Sequence, residues 1–288
     1  MYALIALGYT MVYGIIQLIN FAHGDVFTVG AFIGLATFTY VLTPLHLNSP
    51  IWIALPVVLI VAIVATGALG VTLERVAYRP LRYAPRLAPL ITALGASIFL
   101  ENAIFLWYPG GKNPQPFPRL FPQGGFSLFG ARVDYLWLFM LIVSIVLMAG
   151  LAAFVRRTRL GKAMRATAAD KDAASLMGID INQTIMLTFL IGSVLAAAGG
   201  VLNGMYSGRI FFFDGFEAGL KAFTAAVLGG IGNIGGAVLG GFVIGVVESL
   251  AAGYLPNGGE WRDVIVFLIL VSILIFRPTG LLGERVGE

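Results

Sequence analysis

The chain has no cysteine and only two histidines among its 288 residues, which removes disulfide frameworks, thiolate metal sites and cysteine nucleophiles. His23 and His46 have no further ligand set near them in sequence, so a metal site is not expected. Charge is equally scarce: 11% of residues are Asp, Glu, Lys or Arg, against roughly 25% in soluble domains. That shortage excludes a soluble protein, and a net charge of +4 gives no basic surface for nucleic acid. No G-x-x-x-x-G-K-[ST] segment occurs, because Gly161-Lys162 is followed by Ala163 and preceded at the required spacing by Arg156. The chain therefore lacks that cradle for nucleotide phosphates. The G-x-S-x-G elbow and the H-E-x-x-H pair are also missing, so an enzyme is not expected.

Apolar residues are plentiful, at 59% of the chain. At about 20 residues per crossing they fill about eight membrane spans, which leaves no length for a second domain. The expected fold is an all-α polytopic membrane protein occupying 1–288 as a single transmembrane domain. Helices are required because lipid cannot satisfy a bare backbone, and no barrel-type alternation is present. Apolar windows place spans near 2–19, 26–43, 51–73, 88–107, 135–155, 185–206, 235–254 and 264–276. A ninth stretch, 222–232, is too short to cross alone and reads as a broken or re-entrant helix. The N-terminus has no basic run and no small-residue cleavage pattern, so it is read as the first span.

Polar punctuation gives the topology. Arg75, Arg79, Arg82 and Arg86 follow the third span, and Arg156, Arg157, Arg159, Lys162, Arg165 and Lys171 follow the fifth. Both loops belong in the cytoplasm by the positive-inside rule. The Pro-rich loop 108–134 then lies outside as irregular chain, and the N-terminus lies outside. Arg277 and Arg285 suggest a C-terminus inside, which demands one or three crossings after the external stretch 207–221, and the short stretch 222–232 decides between them. In the large cytoplasmic loop 156–184, Lys162 to Met177 is rich in Ala, Met, Leu and Lys without Pro or Gly. It should form one short, weakly amphipathic helix closed by Gly178. On pattern alone, such a helix either binds a partner or solvates a loop.

Asp172-Ala173-Ala174, followed after three residues by Gly178, resembles the EAA-x-x-x-G element of bacterial ABC-importer permeases, with Asp in place of Glu. Five segments in family order widen the match: "YALIALGYTMVYGIIQLINFAHGD", "ERVAYRPLR", "LGKAMRA", "KAFTAAVLGGIGNIGGAVLGG" and "RPTGLLG". Over essentially the full chain they resemble LivH-type permeases of branched-chain amino-acid ABC importers. Members of that family usually carry residues ahead of the position of Met1, which implies a shortened first helix or a late start. The resemblance implies that Asp172, Ala173, Ala174 and Gly178 form a coupling helix docking on an ATPase. It further implies a heterodimer with a second, similar permease, two ATP-binding subunits, an extracytoplasmic binding protein and a location in the bacterial inner membrane. ATP and Mg would sit on the partners, and this chain would bind no cofactor. Leucine, isoleucine or valine is the implied cargo, with urea, short amides or other neutral amino acids as alternatives.

Gly232, Gly236 and Gly240 recur every fourth residue. They either let helices pack closely or, as "GGIGNIGG", interrupt a span with unwound backbone beside an aqueous path. The path residues expected on this basis are Asn20, His23, Gly229, Gly230, Gly232 and Asn233, with Asn20 to Asp25 read either as a tight cytoplasmic turn or as part of a gate. Glu101 and Glu248 are expected to bond between helices or subunits rather than to touch cargo. A stand-alone channel or secondary carrier is the competing class; it accounts for the glycine breaks but not for the helical cytoplasmic loop.

Overall fold

The computed structural model describes residues 1–47, 51–82, 84–85, 87–122, 124–128 and 130–283. Arg86 and Arg285, both used above for topology, lie outside them. Eleven helices are described: α1 (Tyr2–Ile16), α2 (His23–Ala36), α3 (Ile51–Leu73), α4 (Leu87–Trp107), α5 (Tyr135–Arg157), α6 (Arg159–Ala169), α7 (Lys171–Leu176), α8 (Ile181–Ser207), α9 (Asp214–Gly229), α10 (Ile234–Tyr254) and α11 (Gly258–Phe276). Wider π-type turns extend α2 through Thr37–Leu42 and α3 through Glu74–Tyr78.

Six of the described helices are long and apolar enough to cross a bilayer: His23–Leu42, Trp52–Leu81, Leu87–Trp107, Tyr135–Arg157, Ile181–Ser207 and Ile234–Tyr254. The protein is thus a multi-pass helical membrane protein. The expected first span is a 15-residue helix, about 22 Å long at 1.5 Å per residue. The expected last span, α11, has 19 residues and carries Glu260, Arg262 and Asp263 in its opening turns.

Burial separates inner from outer helices. α8 is the central post, packed against α1, α2 and α3. Its small residues permit this. A Cβ on Gly200 would strike the Phe27 carbonyl, and one on Gly30 would press into Ala197. α9 is similarly enclosed by α1, α2, α10 and α11, with Ala222, Ala225 and Ala226 fully buried. α4 and α5 present mainly exposed Leu, Ile and Phe side chains, the composition suited to hydrocarbon.

The loop 108–134 differs from the irregular chain expected. β2 (Gly125–Leu128) and β3 (Ala131–Asp134) form an antiparallel hairpin, while β1 (Gln115–Pro116) pairs antiparallel with β4 (Arg209–Ile210) beyond α8. Phe117 and Leu120 are buried, and the Phe117 ring covers Gly204. Apolar side chains between the prolines fold this loop back onto the bundle, where a proline count alone suggested only turns.

Candidate functional site

The segment 156–184 is built from caps. Thr158 Oγ1 accepts the Gly161 N–H at 3.0 Å and starts α6. Asp170 then leaves the helix, and its Oδ1 accepts the N–H groups of Asp172 at 2.8 Å and Ala173 at 2.9 Å, starting α7. The single helix expected over 162–177 is therefore two. An aspartate side chain can satisfy the backbone donors that a helix would otherwise use, and here it acts as an N-cap inside an Ala-rich run.

Gly178 ends α7 as expected, at φ 81°. Ile179 N–H donates to Ala174 O at 3.1 Å and Gly178 N–H to Ser175 O at 2.9 Å, the paired bonds of a Schellman ending. Asp180 caps α8 by accepting the Gln183 N–H. Among the four residues expected to couple, Asp172, Ala173 and Gly178 are exposed, whereas Ala174 is buried. Ala174 thus packs within its own chain and offers a partner no surface. Leu176 and Met177, by contrast, are 89% and 83% exposed, an apolar pair whose solvation is unfavourable. Their membership of the apolar face was readable in the sequence, but not their outward direction.

α6 connects this segment to the bundle. Buried Met164, with Arg165 and Ala168, lines a cavity of about 70 Å³ whose other walls are Thr10 and Gly14 of α1 and Gly232. A Cβ on Gly14 would lie 3.6 Å from Gly232 Cα, so the glycine turn touches the C-terminal half of α1.

The turn itself joins α9 to α10. Gly230 and Gly232 adopt φ 103° and 96°. Asn233 caps α10 by accepting the Gly236 N–H at 3.0 Å, and its amide donates to Leu282 O at 2.9 Å. A Cβ on Gly229 would strike the Gly236 carbonyl, and one on Gly240 the Ala225 carbonyl. The two expectations for the glycines are thus both met in part: α9 and α10 touch backbone to backbone, and the chain is non-helical between them. The C-terminal strap seals the turn, with Leu281 and Leu282 N–H donating to Leu228 O and Gly229 O at 2.8 and 2.9 Å.

Asn20 and His23 occupy a different place. α1 ends at Gln17 in the left-handed region, and the chain turns back through 18–22 to begin α2 inside the bundle. Asn20, His23 and Asp25 are 3%, 2% and 0% exposed, so this is a buried turn rather than a surface one. The His23 ring meets Tyr9 edge-on at 5.0 Å and lies against Gly8, halfway along α1, and Gly192 of α8. Asn20 Oδ1 accepts from the Tyr78 hydroxyl at 2.5 Å, and Asp25 accepts from Ser97 of α4. Thr10 Oγ1, His23 Nε2, Asp25 Oδ1 and Thr28 Oγ1 are buried with no hydrogen-bond partner among the described residues. The expected path residues therefore form two groups flanking α1, one around His23 and one around Gly232. Among the described residues no group of three His, Asp or Glu side chains is placed to hold a metal ion.

Glu248 bonds within the chain. Lys221, buried on α9, contacts Glu217 at 2.8 Å, Glu248 at 3.0 Å and Asp263 at 2.6 Å, and Arg262 lies 3.5 to 3.7 Å from the same three carboxylates. The set joins α9, α10 and α11.

Short buried helices broken at glycine and polar turns, packed beside helices with lipid-compatible surfaces and joined to the capped segment α6–α7, define a multi-pass membrane permease. The chain belongs to the family described as branched-chain amino acid transport system / permease component, whose model matches residues 1–274. It is 47% identical to the high-affinity branched-chain amino acid transport system permease protein BraD of Pseudomonas aeruginosa, over 98% of this chain and 92% of that protein. Identity to the corresponding LivH protein of Salmonella typhimurium is 44%, over 98% and 91% of the two chains. A probable branched-chain amino acid transport permease LivH of Methanocaldococcus jannaschii is 30% identical over 97% and 88%. No solved structure matches the chain at a significant level.

Proposed function

We propose that this chain is the membrane-spanning subunit of an ATP-driven importer that carries leucine, isoleucine or valine into the bacterial cytoplasm. The observation that carries the reading is near-full-length identity of 44 to 47% to permeases whose names specify branched-chain amino acids. In this reading α1, α9 and α11 complete the crossings begun by the six longer helices, so the C-terminus lies inside. A second, similar permease pairs with this one as a heterodimer. Two partner subunits bind ATP and Mg, and an extracytoplasmic protein delivers the amino acid.

Asp172, Ala173, Leu176 and Met177 meet the ATPase, with Gly178 setting the angle at which they stand. Closure of the ATPase dimer displaces α6 and α7. The displacement reaches α1, whose two faces carry the His23 and Gly232 groups, and the path alternates between the two sides of the membrane. Unpartnered polar atoms and unwound glycine backbone suit a zwitterion's charged ends, and apolar walls suit its side chain.

The test is uptake of labelled leucine by proteoliposomes holding the complete complex. Uptake should require ATP and be competed by isoleucine and valine, but not by urea or acetamide. ATP-independent flux through this chain alone would favour a channel, and competition by urea alone would reassign the cargo.

A further inference from the structure

We propose that Lys171 is the positioning residue that carries the displacement of the cytoplasmic segment to the first two helices; the proposal rests on the importer reading above. Lys171 is the first residue of α7, yet its ammonium leaves that helix and donates to the carbonyl of Ile16, 3.3 Å away. Ile16 is the last residue of α1. A helix C-terminus leaves carbonyls without intrahelical partners and carries a partial negative charge, so a lysine there is held both by a hydrogen bond and by the helix dipole. Gln17 N–H satisfies Tyr13 O at 2.7 Å, and Lys171 satisfies the end of the same turn.

Both ends of this link are rigid. On the cytoplasmic side Asp170 caps α7 immediately before Lys171, fixing the backbone from which the side chain springs. On the bundle side the left-handed Gln17 stops α1 abruptly at the point of contact. Although Lys171 is exposed as a residue, partial desolvation lowers its ammonium below the ordinary lysine pKa, and the Arg82 guanidinium adds to that effect. Arg82 is itself engaged by Glu74 and Asn182, so the neighbouring cation is anchored to α3 and α8 rather than free to replace Lys171.

The turn following α1 is gripped at a second point. Tyr78, buried at the end of the helix that continues α3, donates to Asn20. A displacement of α7 therefore acts on Ile16 while Tyr78 holds Asn20. The difference must be taken up between them and at the start of α2, where His23 packs on Gly8 and Gly192. That is where a motion at the inner face alters the bundle interior.

The test uses the complete complex in proteoliposomes, with binding-protein-stimulated ATP hydrolysis and leucine uptake measured together. Lys171→Met removes the cation and keeps the stem; Lys171→Arg keeps the cation. Lys171→Met should hydrolyse ATP at near the normal rate while uptake per ATP falls roughly fivefold to tenfold, within the usual range for coupling between sites. Lys171→Arg should recover most of it. Unchanged uptake per ATP in Lys171→Met, or equal losses of hydrolysis and uptake, overturns the proposal. Gly178→Leu separates this failure from that of the importer reading: uncoupling by Gly178→Leu alone rejects only the role of Lys171, whereas uncoupling by neither variant rejects the coupling segment too. Because the natural chain has no cysteine, spin labels on introduced Gln17→Cys and Asp172→Cys give a second measurement, made without altering Lys171. Their separation should stay constant between nucleotide-free and ATP-bound complexes, and a change of several ångströms would reject the link.

Discussion

The imidazole of His23 fills the space that a side chain on Gly8 would occupy, with Gly192 of α8 beside the same edge of the ring. Two glycines on two helices thus admit one ring at the buried start of a third. Gly8→Val would drive methyl groups into a ring that is 2% exposed and has little room to yield. Overpacking of this kind costs about 1–3 kcal/mol. A lower Tm in detergent and reduced uptake are expected, and Gly8→Val combined with His23→Ala should recover much of the lost Tm. A normal Tm in Gly8→Val would show that α2 starts elsewhere.

Gly178 has open space around the position of a Cβ but a φ of 81°. A substitution there is strained by the backbone alone, by about 1–2 kcal/mol for most L-residues and less for Asn. Gly178→Asn should therefore retain more uptake than Gly178→Ala, and Gly178→Val should retain least. Equal uptake by all three would mean that the turn after α7 does not set the angle of the exposed face.

Asp170→Ala removes the acceptor for two backbone N–H groups and leaves an alanine-rich run in which α6 and α7 can merge. Loss of such a cap costs about 1 kcal/mol. Hydrogen exchange at Asp172 and Ala173 should quicken in Asp170→Ala and stay near normal in Asp170→Asn, whose side-chain oxygen can still accept. Unchanged exchange in both variants would count against the capped break.

Long apolar runs made the six longest membrane-capable helices readable in the sequence, because hydrocarbon thickness acts on local composition. The four-residue glycine spacing likewise announced the α9–α10 contact. The break at Asp170 was hidden because alanine, lysine and methionine on both sides favour helix, and one side chain decided otherwise. The burial of Asn20, His23 and Asp25 was hidden for another reason: partners from α1, α3, α4 and α8 enclose them, and such distant pairing leaves no periodic trace. Ala174 shows the same limit, since a small residue suits a partner's groove and a packed interior equally well.

Lys221 illustrates how far apart in the chain the parts of one constellation can lie. Glu217 is one turn earlier on α9, Glu248 comes from α10 and Asp263 from α11, and Arg262 adds a second cation, so two positive charges face three negative ones. Removing Lys221 would leave three carboxylates around Arg262 in a setting where Lys221 itself is 2% exposed. Breaking a fully buried ion pair from one side costs about 3–5 kcal/mol. Here Glu217 and Asp263 are 44% and 38% exposed and solvent screens them, so the cost is smaller and falls mainly on Glu248, which is 13% exposed. Lys221→Met should therefore show a lowered Tm. Neutralising a carboxylate as well should lessen the damage, so Lys221→Met with Glu248→Gln is expected to be more stable than Lys221→Met alone. If the double variant is less stable than the single one, Glu248 is held by something other than this charge set, and the tie between α9 and α10 at this level is apolar.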